Sequence, residues 1–409
     1  MHDRESLEQS LRHHAIDCFP QQLRPDTEDA VPVSTQMRET FFTADEIFVA
    51  GSADADALTE VAADGWGIDA RPAAAGFTSL RANEAGGPGV AAVLDELYRR
   101  NIEASANHIF AVPANELSGQ PHYQSAPEPE PTGADDIRWA AQPGSGAGLV
   151  NVAVLDTGIV EHKWLSTDRD WRDSDRDVVD ADADGQRDTA AGHGTFVAGL
   201  LTRLASRAHV KVLDVLDGTG WVSESHLAQR IDALEAADVL SLSCGGFTYR
   251  NRPPLLLKHA IDGWLDRNPG SVVVAAAGNA GVGRRFWPAA LRRVIAVGAV
   301  DGHNRPATFT NYGTDDDRWV DACAPAVDVK STFVTFPADD QSSVASDKRF
   351  EGWATWSGTS FAAPVVAAAI ARRIEASGST ITADQAWHEL SHGKPVIQQN
   401  GKYLGVLVR

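Results

Sequence analysis

The stretch LVNVAVLDTG, residues 149–158, decides the fold class that we expect for this chain. Its apolar run up to Asp156 is typical of a strand that is buried on both faces in a parallel sheet covered by helices. Similar short runs rich in Val, Leu and Ala follow at 209–216, 238–244, 271–278 and 293–300. The helical pattern of residues 226–237 lies between two of these runs and is typical of a crossover helix. We therefore predict an α/β domain with a doubly wound parallel sheet over residues 137–409.

The N-terminal part of the chain has its own pattern of strands and helices. Residues 44–112 give, in order, a strand, a helix, two strands, a helix and a strand. The second helix carries four apolar residues on one face: Val90, Val93, Leu94 and Leu97. This order predicts a smaller α+β ferredoxin-like domain at 41–114. We expect an irregular extension before it, at 1–40, and a Pro-rich acidic linker after it, at 115–136.

The composition excludes several classes of protein. Hydrophobic residues make up 43% of the 409 residues, which is enough for a sizeable core and excludes wholesale disorder. The net charge is −20 and no block of Lys and Arg stands out against it, so no nucleic-acid partner is expected. The three cysteines, Cys18, Cys244 and Cys323, form a sparse, odd set without a pair at metal-ligand spacing. They give no support to a disulfide framework.

The start of the chain bears on its location. The first thirty residues are polar and charged, and they lack the apolar stretch of a secretory signal. No run of about 18 uncharged apolar residues occurs, so no membrane span is expected. These features predict a cytoplasmic protein, or a secreted one if a signal has been removed from the start.

Four residues offer the groups that hydrolysis of a peptide needs, namely a nucleophile, a base, a group that orients the base, and oxyanion donors. Asp156 and Asn279 end predicted strands, and the carboxyl ends of parallel strands line the crevice of an open sheet. His193 begins a buried helical run, where the helix dipole favours a neutral base. Ser360 opens an apolar helix whose first N–H groups have no acceptor within the helix. Taken singly, each residue has an ordinary structural explanation as a turn, cap or buried core residue.

Taken together, the segments around these residues resemble the subtilisin family of serine proteases, the subtilases. The matching segments are VAVLDTG, GHGTFVAG, AAAGN and SGTSFAAP, in that order, and the resemblance covers about residues 137–375. It implies that Ser360 attacks the scissile carbonyl, that His193 is the base, and that Asp156 orients His193. It also implies that the Asn279 side chain and the Ser360 backbone N–H stabilise the tetrahedral intermediate. No cofactor is required for this chemistry.

The resemblance also suggests where a substrate binds. Ser243, Cys244 and Gly245 would form an edge that pairs with an extended peptide. The segments 243–246 and 275–278, which include Gly246, Ala277 and Gly278, would wall the primary specificity pocket. Neither segment carries a charge, which favours an apolar residue before the cut bond. A thiol-sensitive enzyme is one interpretation of Cys244, and a small buried hydrophobic residue is the other.

An acidic stretch before His193 suggests a metal. Asp180, Asp182 and Asp184 follow a D-x-D-x-D-G spacing, and oxygen ligands around a glycine turn suit Ca²⁺. The resemblance adds to this, because many subtilases bind calcium in this loop. The glutamate of an EF-hand is missing, since Ala191 stands at its position. A solvated acidic loop is the alternative to a structural calcium site.

The N-terminal domain resembles the propeptide of the family, which acts as intramolecular chaperone and inhibitor. The segment NHIFAV, 107–112, is similar to the last propeptide strand, and we expect the tail at 111–114 to enter the active-site cleft. The alternative is a partner-binding module that is never removed.

Two further functions compete with an endopeptidase that acts on proteins or peptides. One is a catalytically silent subtilase fold used as a binding module, and the other is an esterase or acyltransferase with the same triad. The peptide-pairing segment 241–246, SLSCGG, favours a protease. A narrow-specificity processing protease, which cuts one partner protein or peptide, is a third interpretation.

Overall fold

The computed structural model describes residues 40–51, 55–62, 65–69, 74, 76–83, 88–112, 128–133, 150–165, 174–180, 187–216, 220–336 and 349–409. The chain divides into two units. The first contains the chain up to Phe110 together with 223–232 and 246–261. The second contains 111–222, 233–245 and 262–409. The first unit thus joins the predicted N-terminal domain to two short segments of the predicted catalytic domain.

The N-terminal domain has the predicted order of elements. They are β1 (Phe42–Ala50), α1 (Ala55–Ala62), β2 (Trp66–Ile68), β3 (Phe77–Ala82), α2 (Val90–Arg99) and β4 (Ala104–Ala111). The order of these strands in the sheet is β2-β3-β1-β4, and neighbouring strands are antiparallel. The predicted apolar face of α2 is buried and packs in one cluster with Ile47 of β1 and Leu80 of β3. The split ferredoxin-like arrangement is therefore confirmed.

The second unit is built on a mostly parallel sheet of eight strands. Their bounds are β6 (Asn151–Asp156), β7 (His209–Asp214), β9 (Val239–Leu242), β10 (Val272–Ala276), β11 (Val294–Val300), β12 (Ala322–Pro325), β15 (Val396–Gln399) and β16 (Lys402–Leu407). The order is β15-β16-β12-β11-β10-β9-β6-β7, and only the β15–β16 pair is antiparallel. The order changes direction between β6 and β9, which is the switch point where open α/β sheets place their sites.

A second, smaller sheet uses part of the predicted linker. Glu130–Pro131 forms β5, which pairs antiparallel with β14 (Phe350–Trp356), and β14 pairs with β13 (Val329–Phe336). The remaining short strand, β8, spans Trp221–Ser223. Residues 1–39 of the predicted extension and 113–127 and 134–149 around β5 lie outside the described residues.

In the described part of the predicted catalytic domain, five α-helices accompany these strands. They are α3 (His193–Leu204), α4 (Glu224–Asp232), α5 (Leu255–Arg267), α6 (Thr359–Ala376) and α7 (Ala383–Ser391). Helix α6 is buried along almost its whole length and packs against α3 and the central strands. This burial explains why its sequence is apolar on every side. Ser360 therefore lies at the beginning of a largely buried helix.

Among the described residues, no helix has the length and apolar character needed to cross a membrane. The cytoplasmic location stays a prediction.

Candidate active site

Asp156 and His193 are in direct contact. Asp156 ends β6 and His193 begins α3, and the His193 Nδ1 atom lies 2.7 Å from the Asp156 Oδ1 atom. Both residues are fully buried, and the backbone N–H of Thr157 donates to the same carboxylate oxygen at 2.9 Å. A carboxylate only accepts hydrogen bonds, so the proton of a neutral imidazole lies on Nδ1 and Nε2 is left as the acceptor. Nε2 is buried without a hydrogen-bond partner among the described residues.

Glycines allow the end of β6 and the start of α3 to come this close. A Cβ atom at Gly194 would lie 2.1 Å from the carbonyl oxygen of Gly158. Gly158 itself has φ +82°, and a Cβ there would meet the backbone of Arg176 at 2.8 Å. Any side chain at these two positions would push His193 away from Asp156.

A buried carboxylate that the sequence analysis did not single out supports this pair. Asp177 accepts hydrogen bonds on Oδ2 from the Thr157 hydroxyl at 2.9 Å and from the Gly192 N–H at 2.7 Å. Thr157 and Gly192 are the chain neighbours of Asp156 and His193, so Asp177 links the two segments that carry these candidate residues. Burial raises the pKa of Asp177 to about 7, and the nearby Asp156 charge acts in the same direction.

Asp177→Asn is expected to flatten the pH dependence of stability. The pKa of this carboxyl is raised in the folded state from an ordinary value of 3.8 to about 7. Its contribution to stability is therefore present below about pH 4 and is lost as pH rises through about 7. Between these values the free energy of unfolding of the wild type should fall by on the order of 4 kcal/mol more than that of the variant, because the pKa differs by about three units between the two states. Denaturant titrations at several pH values measure this difference, and equal pH slopes would contradict the expectation.

The turn before His193 is held by Arg187. Its Nη1 group donates to the carbonyl oxygens of Asp188, Thr189 and Ala191, at 2.7, 3.2 and 3.0 Å. The guanidinium also lies over the ring of Phe333, 5.5 Å from its centroid. Arg187 therefore fixes the backbone that leads into the histidine.

An aromatic cluster packs around the His193 ring. Trp356 meets the imidazole edge-to-face at 5.4 Å between centroids, and Phe361 lies at 5.3 Å. Phe196 packs against Phe361 with tilted rings, 4.5 Å between centroids, and is fully buried. The cluster removes water from one side of the imidazole and fixes its orientation.

Ser360 is the second residue of α6, and its hydroxyl faces the strand that was predicted to bind substrate. Its Oγ donates to the carbonyl oxygen of Ser243 at 3.3 Å, and the Ser243 hydroxyl donates back to the Ser360 carbonyl oxygen at 3.1 Å. Ser360 is only 1% exposed. The ring of Phe361, the residue that follows Ser360, contacts the His193 ring, whereas the Ser360 hydroxyl is bonded to Ser243.

Asn279 is fixed by the turn that precedes Ser360. Its Oδ1 atom accepts hydrogen bonds from the Thr359 N–H and the Thr359 hydroxyl, each at 2.9 Å. These contacts assign the other amide atom, Nδ2, as the donor. A Cβ atom at Gly358 would lie 3.3 Å from Nδ2, so the NH₂ group is directed toward the Gly358–Ser360 turn.

The predicted substrate edge is already paired with another segment of the chain. Ala111 and Gly245 exchange two backbone hydrogen bonds, at 3.0 and 2.9 Å, in antiparallel geometry. The Val112 N–H donates to the Gly220 carbonyl oxygen at 3.0 Å. Residues 111–112 therefore lie as a short strand along Gly245.

The other predicted pocket residues differ in what surrounds them. Cys244 is fully buried, and burial raises the pKa of its thiol to about 12, so it packs as a small hydrophobic residue. Gly246 lies in the first unit, where a Cβ would meet Phe110 Cδ1 at 3.0 Å. Ala277 is fully buried directly after β10, and Gly278 follows it with φ +94°.

The predicted calcium ligands are only partly described. Asp180 lies among the described residues, whereas Asp182 and Asp184 lie outside them. Within the described ranges no group of three or more His, Cys, Asp or Glu side chains could hold a metal ion.

The chain is similar to known proteins over most of its predicted catalytic domain. The model of the Subtilase family matches residues 147–399, which is more than half of the chain. The chain is 33% identical over 258 residues to a thermophilic serine proteinase of Bacillus sp. (strain AK1), covering 60% of this chain and 56% of that protein. It is 33% identical over 238 residues to Subtilisin Savinase of Lederbergia lenta, covering 56% of this chain and 76% of that protein.

A solved structure shows the same fold. Fervidolysin from Fervidobacterium pennivorans, described as a keratinolytic enzyme related to subtilisin, matches with a TM-score of 0.54 and 19% identity. The match covers 90% of this chain and 60% of fervidolysin. The chain spans about half the length of the Bacillus proteinase and of the alkaline protease of Alkalihalobacillus alcalophilus, with 56% and 54% covered. The matched family model, the shared fold and the geometry around His193 lead to one conclusion: this chain belongs to the subtilase family.

Proposed function

We propose that this chain is a serine endopeptidase that hydrolyses peptide bonds with Asp156, His193 and Ser360. The observation that carries the proposal is the buried 2.7 Å contact between His193 Nδ1 and Asp156 Oδ1. It leaves Nε2 of a neutral imidazole as a proton acceptor, which is what a general base requires. Membership of the subtilase family supports the same activity.

The first chemical step needs a rotation of the nucleophile. The Ser360 hydroxyl turns from the Ser243 carbonyl oxygen toward His193 Nε2, which takes its proton as Oγ attacks the scissile carbonyl carbon. The positive charge that develops on the imidazole is stabilised by the Asp156 carboxylate on Nδ1. His193 then gives the proton to the leaving amine, and a water molecule repeats the sequence to release the acyl group.

Two donors serve the oxyanion in this proposal. The Asn279 Nδ2 group is directed toward the turn before Ser360, and the Ser360 N–H lies in the first turn of α6, where N–H groups have no acceptor within the helix. Both are fixed before the reaction begins, so their alignment costs no reorganisation in the transition state.

Labelling with a fluorophosphonate probe tests the proposed activity. A nucleophilic Ser360 forms a covalent adduct that mass spectrometry maps to the peptide containing SGTSFAAP. Ser357, in the same peptide, is the internal control and should remain unlabelled. A chain that folds but takes up no probe, before and after removal of the N-terminal domain, would favour the catalytically silent binding module.

We also propose that the N-terminal domain restrains the enzyme. Residues 111–112 pair with Gly245 as a substrate strand would, so they compete with substrate for the same backbone groups. A tethered competitor has an effective concentration on the order of millimolar. A free peptide at micromolar concentration would therefore displace it poorly.

Contacts within the first unit support a chaperone role for the same domain. Glu224, the first residue of α4, accepts the N–H groups of Leu256 and Leu257 at the start of α5, at 2.8 and 3.3 Å. His108 of β4 lies 3.0 Å from the same fully buried carboxylate, and its Nε2 accepts the Tyr249 N–H at 3.2 Å. The last strand of the N-terminal domain therefore contributes to the polar contacts that hold these two helix starts.

Release of the N-terminal domain is expected to raise peptidase activity at least about tenfold, because it removes the tethered competitor. A cleavage site for a sequence-specific protease would be placed between residues 115 and 127. Activity is then measured on the folded chain before and after cutting and separation, with the unmodified chain treated in parallel. Purified 41–114 added back should inhibit.

A point variant distinguishes the effect of the strand at 111–112 from that of the rest of the N-terminal domain. Ala111→Pro removes the N–H that donates to Gly245 and should raise the activity of the uncut chain. Equal activity of the cut and uncut chains, without inhibition by the fragment, would leave a docking module that is never removed.

Structural calcium at Asp180, Asp182 and Asp184 is a further part of the proposal. The D-x-D-x-D-G spacing of these residues supports it, because carboxylate oxygens around a glycine turn suit Ca²⁺. At a hundredfold excess over Kd, calcium should raise Tm by about 5 °C relative to chelator. The triple alanine variant should lose this increase, and an equal Tm of the wild type in calcium and in chelator would exclude the site.

A further inference from the structure

The ring of Phe286 lies between the two segments that were predicted to wall the primary specificity pocket. A Cβ atom at Gly245 would lie 2.4 Å from Phe286 Cε1, and one at Gly278 would lie 2.9 Å from Phe286 Cδ2. Cε1 and Cδ2 belong to opposite edges of the ring. One edge therefore packs against Gly245 and the other against Gly278, so that the ring spans the gap between the walls.

The backbone around Phe286 leaves the ring little room to move away. Phe286 is 7% exposed, and the next residue, Trp287, is 1% exposed. The Trp287 carbonyl oxygen also lies against Gly245, 2.5 Å from where its Cβ would be. The Phe286 carbonyl oxygen accepts the Ala290 N–H at 2.9 Å, which closes a turn behind the ring.

The opposite wall is equally fixed. The Asn311 side chain donates to the Ala277 carbonyl oxygen at 2.8 Å and accepts the N–H groups of Ala280 and Val282 at 3.0 and 3.2 Å. These three bonds hold the backbone on both sides of Gly278. The gap between the walls therefore has a set width, and its occupant is a side chain of the protein itself.

We propose that Phe286 fills the primary specificity pocket and restricts the residue before the cut bond to Gly or Ala. The proposal rests on the proposed peptidase function. Without the Phe286 ring, Gly245 and Gly278 would face each other across an uncharged slot that could take a large flat side chain. The Phe286 ring occupies that slot. A substrate with Leu, Phe or Tyr before the cut bond must displace a buried ring that is wedged between two fixed backbones. Steric exclusion of this kind is how a pocket built from packed side chains discriminates by size.

The test is the cleavage of peptide anilides that share their first three residues and end in Gly, Ala, Leu or Phe. One methylene in a hydrophobic pocket changes kcat/KM by about tenfold or more, so we expect the wild type to prefer Ala over Phe by at least about tenfold. Phe286→Ala should reverse this order by opening the slot, and Phe286→Leu should give an intermediate preference. Leu404→Ala, which truncates a fully buried side chain on β16, is the control and should keep the wild-type order.

The outcomes separate this proposal from the peptidase function. A wild type that prefers Phe or Leu would overturn the proposal even if Phe286→Ala failed to fold. A preference for Ala that Phe286→Ala and Phe286→Leu leave unchanged would also overturn it. Calorimetry on the Ser360→Ala chain measures the affinity of the pocket for each of these peptides without any cleavage. Tighter binding of the Ala peptide there would support the pocket even if no hydrolysis were found, in which case only the peptidase function would fail.

Discussion

Ser360→Ala should abolish peptide hydrolysis and leave the fold intact. The variant removes one oxygen atom from a residue that is 1% exposed and whose hydroxyl makes, among the described residues, one hydrogen bond of 3.3 Å, to Ser243. The loss of that bond costs about 1 kcal/mol, which the chain should tolerate. We expect kcat to fall about 10⁶-fold, which is the loss known for the corresponding serine of subtilisin itself.

The measurement compares kcat of the variant and the wild type after release of the N-terminal domain. Ser357→Ala is the matched control, because Ser357 lies in the same turn, is equally buried and binds the Asp328 N–H through its hydroxyl at 2.8 Å. It should lose some stability and keep its turnover. If Ser360→Ala retained more than about a thousandth of the wild-type rate, the nucleophile would have to be another residue.

The strands and the order of the site residues could be predicted because both depend on short stretches of sequence. A buried strand such as β6 is visible as an apolar run, and Asp156 ends it as expected. The edges of the sheets were not predicted. β5 is only two residues long, and β15 and β16 are joined as an antiparallel pair at the sheet edge. The pairing of these strands depends on partners that lie elsewhere in the chain, so the local periodicity of the sequence does not indicate it.

The residues that surround the candidate site were missed for the same reason. Asp177 lies in an acidic stretch where nothing in the sequence distinguishes it, and its role depends on bonds to Thr157 and Gly192. Phe286 belongs to an apolar segment that is equally typical of the hydrophobic core. Its contacts with Gly245 and Gly278 join residues that are far apart in the sequence, so only the folded structure shows them. Candidate catalytic residues could thus be proposed from motifs, whereas the residues that surround them required the fold.

Asn279→Ala should lower kcat by about 10²–10³-fold with little change in KM, a magnitude known for the corresponding asparagine of subtilisin itself. The reason is that Nδ2 donates mainly to the charge that develops in the transition state, so ground-state binding of substrate is little affected. The alanine also removes Oδ1, which accepts the N–H and hydroxyl of Thr359 at 2.9 Å, and this second loss could displace the Ser360 turn.

Two matched variants separate the donor from the acceptor. Asn279→Asp keeps an oxygen for Thr359 and removes the NH₂ group, so it should lose at least as much kcat as Asn279→Ala if the donor is what matters. Thr359→Val removes the hydroxyl that bonds Asn279 Oδ1 and the Gly278 N–H, and it should lower Tm more than kcat. A kcat for Asn279→Asp near that of the wild type, or a change confined to KM in Asn279→Ala, would mean that Asn279 holds the turn and does not stabilise the oxyanion.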